Sequence, residues 1–377
     1  MNAKSIKGSS KEEVQLALNH ALADGFSPTL AVVFISVKQN REEITEMLDK
    51  KGISIFGATT AGEFTDKGVE KDSVAILLLD LDTAAFEVIC TKLTSESASE
   101  DAKNIGTRGI EKFSNPGFII SASDLQQEGQ AIADGILETS QTSTIIGGMA
   151  GDDTYEKTTV FSNGFFSHSG IIALVIDLDK IAMEGYAISG WEPAGTEKIV
   201  TKSEDGWILE IDNQPALDVL INFLGIDINA NTTDEELRET TVTFPLQVFV
   251  EEDKSMFVPP LAFNQETRGI MVPRGVPVGT KIKFTVPPDF DVVDRVIQSA
   301  KDVKNESLQS ADAMIIFSCV GRLMTLGPLV NEEVNGLDEV WNVPMAGFFS
   351  YGEFGSDKGG TPDFVGTTCS WVALKEK

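Results

Sequence analysis

Hydroxyls, carboxylates, one thiol and one guanidinium stand at the ends of apolar runs in this 377-residue chain. Ser36, Ser121 and Cys319 close or nearly close the runs that begin at Leu30, Gly117 and Ala313, and Arg322 follows three residues after Cys319. Thr60 with Glu63, Asp152, and Ser350 with Tyr351 and Glu353 fall in three glycine-bearing stretches entered from neighbouring apolar runs. A guanidinium clamps a carboxylate with two parallel hydrogen bonds. A carboxylate at Glu63 or Glu353 holds an ammonium, and strand-end hydroxyls and N–H groups supply the remaining bonds. Such a set suits an amino acid or a similar small zwitterion. The same residues have a structural use, in which Arg322 pairs with Glu353 and ties two loops together, and both uses stand at this stage.

Other chemistries fit less well. Cys319 beside Arg322 suggests a stabilised thiolate and hence a hydrolase or transferase, but a nucleophile needs a base and no histidine falls near it in sequence. A haem iron is held through His, Cys, Met or Tyr. The chain has only His20 and His168, without a partner at metal-ligand spacing. Gly147 to Gly151 lacks the Lys-Ser/Thr of a phosphate loop.

These residues need elements to position them, and the elements repeat. Ala58-Thr59-Thr60-Ala61-Gly62-Glu63-Phe64 is echoed by Ala346-Gly347-Phe348-Phe349-Ser350-Tyr351-Gly352-Glu353-Phe354 and, more weakly, by Gly147-Gly148-Met149-Ala150-Gly151-Asp152-Asp153. A helical pattern (11–25, 101–113, 290–304) and an apolar strand precede each copy, and another apolar strand follows it. Self-similarity on this scale predicts duplicated αβαββ units. The fold class expected is α/β with α+β character: mixed sheets covered by helices, in two domains. Parallel strands joined by helices would bring the glycine–acid ends into one crevice.

In chain order, Ser10-Lys11-Glu12-Glu13 reads as a capping box, a second helix covers about 42–51 and another 129–139, and residues 73–93 read as a hairpin turning at Asp80-Leu81-Asp82. The segment 155–169 resembles an added β-ribbon. Thr233-Asp234-Glu235-Glu236 signals a helix start or a linker. Pro245, Pro259, Pro260, Pro273, Pro277, Pro287 and Pro288 predict edge strands and loops over 244–288.

A net charge of −28, from 58 acidic and 30 basic residues, repels phosphate backbones, so nucleic acid is not expected as a partner. Mean hydropathy near zero fits a globular chain. Cys90, Cys319 and Cys369 are isolated in apolar strands and read as reduced thiols. No run of 18 apolar residues and no leader-like segment is present, so no membrane insertion and a cytoplasmic location are expected.

Ile55-Phe56-Gly57-Ala58-Thr59-Thr60-Ala61-Gly62-Glu63 resembles the signature of FIST N domains. Phe317-Ser318-Cys319-Val320-Gly321-Arg322 with Val343 to Glu353 resembles that of FIST C domains. Gly190 to Gly195 and Asp212 to Ala216 are similar to the stretch that ends the first of these. The resemblance covers nearly the whole chain. It implies a sensory module for small ligands without established catalysis, a separate signalling partner such as a kinase, cyclase or chemoreceptor, and in some relatives a haem that senses nitric oxide. Relatives often carry His and Asn where this chain has Thr361 to Thr367, which weighs against haem. The expected division is an N-terminal helix in 1–28, a FIST N-like domain of two repeats in 29–218, and a FIST C-like domain in 219–377 with a proline-rich β insertion.

Overall fold

The computed structural model describes residues 1–94, 97–123, 129–141, 143–154, 156–228, 232–241, 244–249, 255–272, 275–286 and 291–377. Tyr155, 229–231, Phe290 and three of the prolines (Pro273, Pro287 and Pro288) fall outside them.

The first unit is β1 (Asn2–Gly8), α1 (Lys11–Leu22), β2 (Leu30–Ser36), α2 (Arg41–Asp49), β3 (Ser54–Thr60), β4 (Glu63–Thr65), β5 (Gly68–Glu70) and β6 (Val74–Asp80). The second repeats the order as β7 (Phe86–Lys92), α3 (Ala98–Lys112), β8 (Pro116–Ser123), α4 (Gly129–Thr139), β9 (Ile145–Met149), β10 (Val160–Ser162), β11 (Phe165–Ser167) and β12 (Gly170–Asp177). The third opens with β13 (Ile181–Ile188). The chain then departs through β14 (Pro193–Glu204), β15 (Trp207–Ile211), β16 (Gln214–Pro215), α5 (Ala216–Leu224), α6 (Asp234–Thr241), β17 (Leu246–Phe249), β18 (Ser255–Val258), β19 (Ala262–Asn264), β20 (Gly269–Met271) and β21 (Lys281–Thr285). It returns as α7 (Asp291–Glu306), β22 (Ala313–Cys319), α8 (Val320–Leu326), α9 (Val330–Trp341), β23 (Met345–Ser350), β24 (Glu353–Gly355), β25 (Asp363–Val365) and β26 (Cys369–Glu376). The α/β class with α+β character and its mixed sheets are as the sequence predicts.

Local signals start the helices. Ser10 Oγ accepts from Glu13 N–H at 3.3 Å, and the Glu13 carboxylate reaches Ser9 N–H at 2.8 Å, one residue beyond the expected partner. Thr233 and Glu236 form a reciprocal box at 3.2 and 2.8 Å, so the 233–236 signal opens a helix.

The units do not stay apart. The three sheets run β1-β6-β2-β3-β10-β11, β7-β12-β8-β9-β24-β25 and β13-β26-β22-β23-β4-β5. Each unit lends its acid-bearing or post-turn ribbon to another unit's sheet: β4–β5 joins the third sheet, β24–β25 the second, and β10–β11 the first. The exchange is therefore cyclic. It also corrects the expected hairpin over 73–93, because β6 and β7 belong to different sheets and residues 81–85 carry the chain between them. The same holds for β12 and β13. Two apolar strands joined by an acidic turn look alike whether they fold back or cross to a neighbouring sheet.

Why the central strands are apolar on both faces is now plain. Along β2, Leu30, Val32 and Phe34 point into a core shared by all three sheets, while Ala31, Val33 and Ile35 meet α1 and α2. In β22, Ile315 and Phe317 enter the shared core and Met314 and Ile316 meet the α7–α9 layer. Phe34, Phe317 and Phe348 pack with centroids 4.6 to 5.8 Å apart. Each pair adds about 0.5–1.5 kcal/mol beyond its burial.

The fourth sheet, β18-β17-β21-β14-β15-β20-β19, has a core of its own. Pro245, Pro259, Pro260 and Pro277 lie between its strands, as expected of loops. The strands are not all edges, however: β17 lies between β18 and β21, because its Leu246–Phe249 stretch is free of proline.

Candidate functional site

The glycine–acid turns do meet. Ala61 N–H donates to Phe349 O (3.1 Å) and Phe349 N–H to Gly62 O (2.9 Å). Met149 N–H donates to Gly352 O (2.8 Å), Tyr351 N–H to Met149 O (3.1 Å), and Gly151 N–H to Thr59 O (2.8 Å). The turns of all three units are thus laced into one seam. The space between the sheets is filled by the aromatic core described above, so the expected open crevice is closed.

Two carboxylates occupy matching places in this seam. Glu63 is 1% exposed and accepts from the Thr60 hydroxyl, from Ser73 N–H (3.2 Å) and from Ser73 Oγ (2.9 Å). Glu353 is fully buried and accepts from Ser350 Oγ (2.7 Å), Thr368 N–H (3.2 Å) and Thr368 Oγ1 (2.6 Å). In both units the first hydroxyl lies three residues before the acid and the second stands just before the antiparallel strand, β6 or β26. Burial pushes each carboxyl up to about 7, against hydrogen bonds that favour the ionised form.

The second unit differs. Asp152 accepts from Glu156 and Lys157 N–H (2.9 and 2.7 Å), from the Thr154 N–H and hydroxyl, and from the Tyr351 hydroxyl at 2.7 Å. Tyr351 is half-buried and spans from the third unit to the second. Ser121 Oγ donates to Gly148 O at 2.8 Å, and Ser36 Oγ accepts from Lys38 N–H at 3.2 Å.

Arg322 corrects an expectation. Its partner is Glu333 of α9, not Glu353: Nε lies 3.2 Å from Glu333 Oε1, and a second guanidinium nitrogen bonds Oε2. The same guanidinium donates to Ser189 O (2.6 Å) and Thr367 O (3.3 Å) and lies 5.4 Å from the Trp191 ring centroid. Burial works against its charge and Glu333 more than offsets this, so the group is held above its usual range. Sequence reading missed Glu333. The signal was a lone acid on an apolar face, since Val330, Glu333, Val334 and Leu337 share one side of α9.

Cys319 is 5% exposed, and burial followed by the Glu353 charge pushes its thiol well up. A thiolate there is therefore not favoured, and Cys319 is the buried thiol that the sequence reading preferred. Cys369 is raised as well, burial again leading. His20 is exposed on α1, and His168 sits in the β11–β12 turn with Nδ1 3.1 Å from Thr158 O. A haem would need apolar walls about one of them. The surface groove beside His20 is lined by lysines and alanines without an aromatic ring, and fits a porphyrin face poorly. Among the described residues no group of three or more His, Cys, Asp or Glu is placed to hold a metal, and no helix is long and apolar enough to cross a membrane.

Gly352 has φ +125°, and a Cβ there would run into the Phe364 ring. Gly352→Val should cost about 3 kcal/mol through strain and overpacking, read as a lower urea midpoint. An unchanged midpoint would mean that the turn is looser than drawn.

Three strand-exchanged units whose turns carry buried carboxylates, bearing an additional β sheet, define a multi-unit protein of mixed α and β structure. The chain belongs to the FIST family: the FIST N domain matches residues 29–214 and the FIST C domain residues 216–356. FIST domains are sensory domains that bind small ligands. Comparison with curated proteins gives no match. The border between the two domains runs through the fourth sheet, where β14 and β15 of the first pair with β21 and β20 of the second.

Proposed function

We propose that the chain is a cytoplasmic sensor for a small ligand, with an amino acid or similar zwitterion as the first class to test, and that it signals through a separate protein such as a kinase, cyclase or chemoreceptor. The seam carries this reading. Each unit's turn is hydrogen-bonded to another's, so a molecule that displaces one turn acts on all three units. Tyr351 over Asp152 is the half-buried member and the natural point of access. A ligand ammonium there would replace the tyrosine hydroxyl on Asp152. Arg322 is occupied by Glu333, so the ligand's carboxylate would have to compete for the guanidinium or be met by backbone N–H groups. Since the acceptors are satisfied as described, the ligand must favour a rearranged seam and draw the population towards it.

The test is a thermal-shift screen with amino acids, dicarboxylates, nucleotides and haem. A true ligand at a hundred times its Kd stabilises by about 2.7 kcal/mol, and Asp152→Asn should remove that shift. If no class moves the melting point, or if Asp152→Asn and Tyr351→Phe respond like the unaltered chain, this site is wrong. A shift with haem alone, accompanied by a Soret band, would transfer the reading to a gas sensor.

A further inference from the structure

The first strand of the first sheet is an edge with open hydrogen-bonding groups. Among the described residues β1 pairs only with β6. In β6, Ser73 O and Leu79 O accept from Ser36 and Thr29 N–H on the β2 side. Strand alternation then turns residues 74, 76, 78 and 80 towards β1. Their partners Gly8, Ile6, Lys4 and Asn2 are bonded inward, which leaves Ala3, Ser5 and Lys7 with N–H and C=O facing out. Among the described residues these outward groups have no backbone partner. The corresponding strand of the third sheet is closed off, because Ala187 N–H of β13 donates to Ser356 O at 2.8 Å.

A groove of about 770 Å³ runs along this edge. Its floor is Ala3 to Lys7, one wall is α1 at Ala17 and Ala21, and the other is Lys67 with Pro344. The lining carries Lys4, Lys7 and Lys67 against Asp24 alone, on a chain whose acids outnumber its bases 58 to 30. Lys4 is held by Asp24 and Ala21 O, and Lys7 by Glu70. Lys67 has no ion-pair partner among the described residues.

We propose that this edge is a docking site for an extended acidic peptide segment of a partner protein, which adds as a strand to β1 and places a carboxylate at Lys67. Main-chain bonds to Ala3, Ser5 and Lys7 would supply affinity, and alternate side chains specificity. Lysines on an edge also discourage indiscriminate pairing, and an acidic segment is the kind they admit. A second copy of this chain is the poorer occupant, since the carboxylates beside its own β1 edge, Asp24, Asp66 and Glu70, are already engaged and offer Lys67 no free partner. The proposal stands apart from the seam and does not need a ligand there.

The probe is a labelled octapeptide of alternating valine and glutamate, offered to the full chain at moderate salt. Binding read by fluorescence anisotropy, with slowed amide exchange at Ala3, Ser5 and Lys7, is the expected result. Methylating alternate peptide nitrogens should abolish it, and Lys67→Glu should weaken it about fivefold. Ser5→Pro removes one outward donor while sparing the bonds to β6, and should weaken binding without loss of folding. Binding that survives N-methylation would reduce the groove to a site for anions. No binding, or β1 protection that rises with protein concentration alone, would overturn the proposal, the latter in favour of self-pairing.

Discussion

Arg322→Met should lower the free energy of unfolding by about 3–5 kcal/mol, the cost of leaving a buried partner charge uncompensated. Glu333 is 1% exposed and its cation is fully buried, so neither can turn to water when the other is lost. Glu333→Leu alone should cost nearly as much. The double variant Arg322→Met with Glu333→Leu should recover most of the loss, because a buried pair exchanged for apolar groups of similar volume is often close to neutral. Urea denaturation of the two singles and the double measures the coupling. The size of the effect follows from what the guanidinium joins. Ser189 O lies where the chain leaves β13 for the fourth sheet, Thr367 O lies just before β26, and Glu333 lies on α9. One side chain therefore fastens the insertion's point of departure to the third unit. A loss below about 1 kcal/mol for Arg322→Met would mean that the guanidinium is spare, and would restore it as a clamp for a ligand carboxylate.

The repeated glycine–acid copies made the three units and their convergence legible in the sequence, because turn chemistry is local and recurs in the text. The partners of the acids were less so. Ser73 and Thr368 each stand just before an apolar strand, ten and fifteen residues beyond Glu63 and Glu353. Only comparison of the copies side by side marks them. The exchange of strands was not legible at all, since β4 is three residues long and its partner β23 lies far along the chain. β1 escaped notice for another reason: an edge strand with one face half-exposed shows no apolar run, and Asn2 to Lys7 reads as polar leader to a helix. Arg322 was picked out for its type, but its partner depends on how α8 and α9 pack, which spacing within either helix does not reveal.

Between about pH 4.5 and 7 the unaltered chain should lose stability relative to Glu63→Gln with Glu353→Gln. Both carboxyls ionise near the ordinary value of 4.5 in the unfolded chain and near 7 in the folded one. Over that window the folded state keeps protons that the unfolded state has released, so the free energy of unfolding falls as pH rises. The shift corresponds to about 3 kcal/mol per carboxyl, fully developed above pH 7 and absent below 4.5. The amide variants cannot ionise, and the surrounding hydroxyls can rotate to accept from them. The difference between the two proteins should therefore tilt by about 6 kcal/mol across the window, while contributions from the many surface acids cancel. Parallel slopes in urea titrations at several pH values would show that the hydrogen bonds from Thr60, Ser73, Ser350 and Thr368 outweigh burial and keep both acids ionised throughout. A tilt of the expected sign would place two carboxyls that gain and lose protons near neutrality inside the seam joining the three units. Protonation of these oxygens would then be coupled to the packing of the seam, because the same carboxyls accept the hydroxyl and N–H bonds that hold the turns.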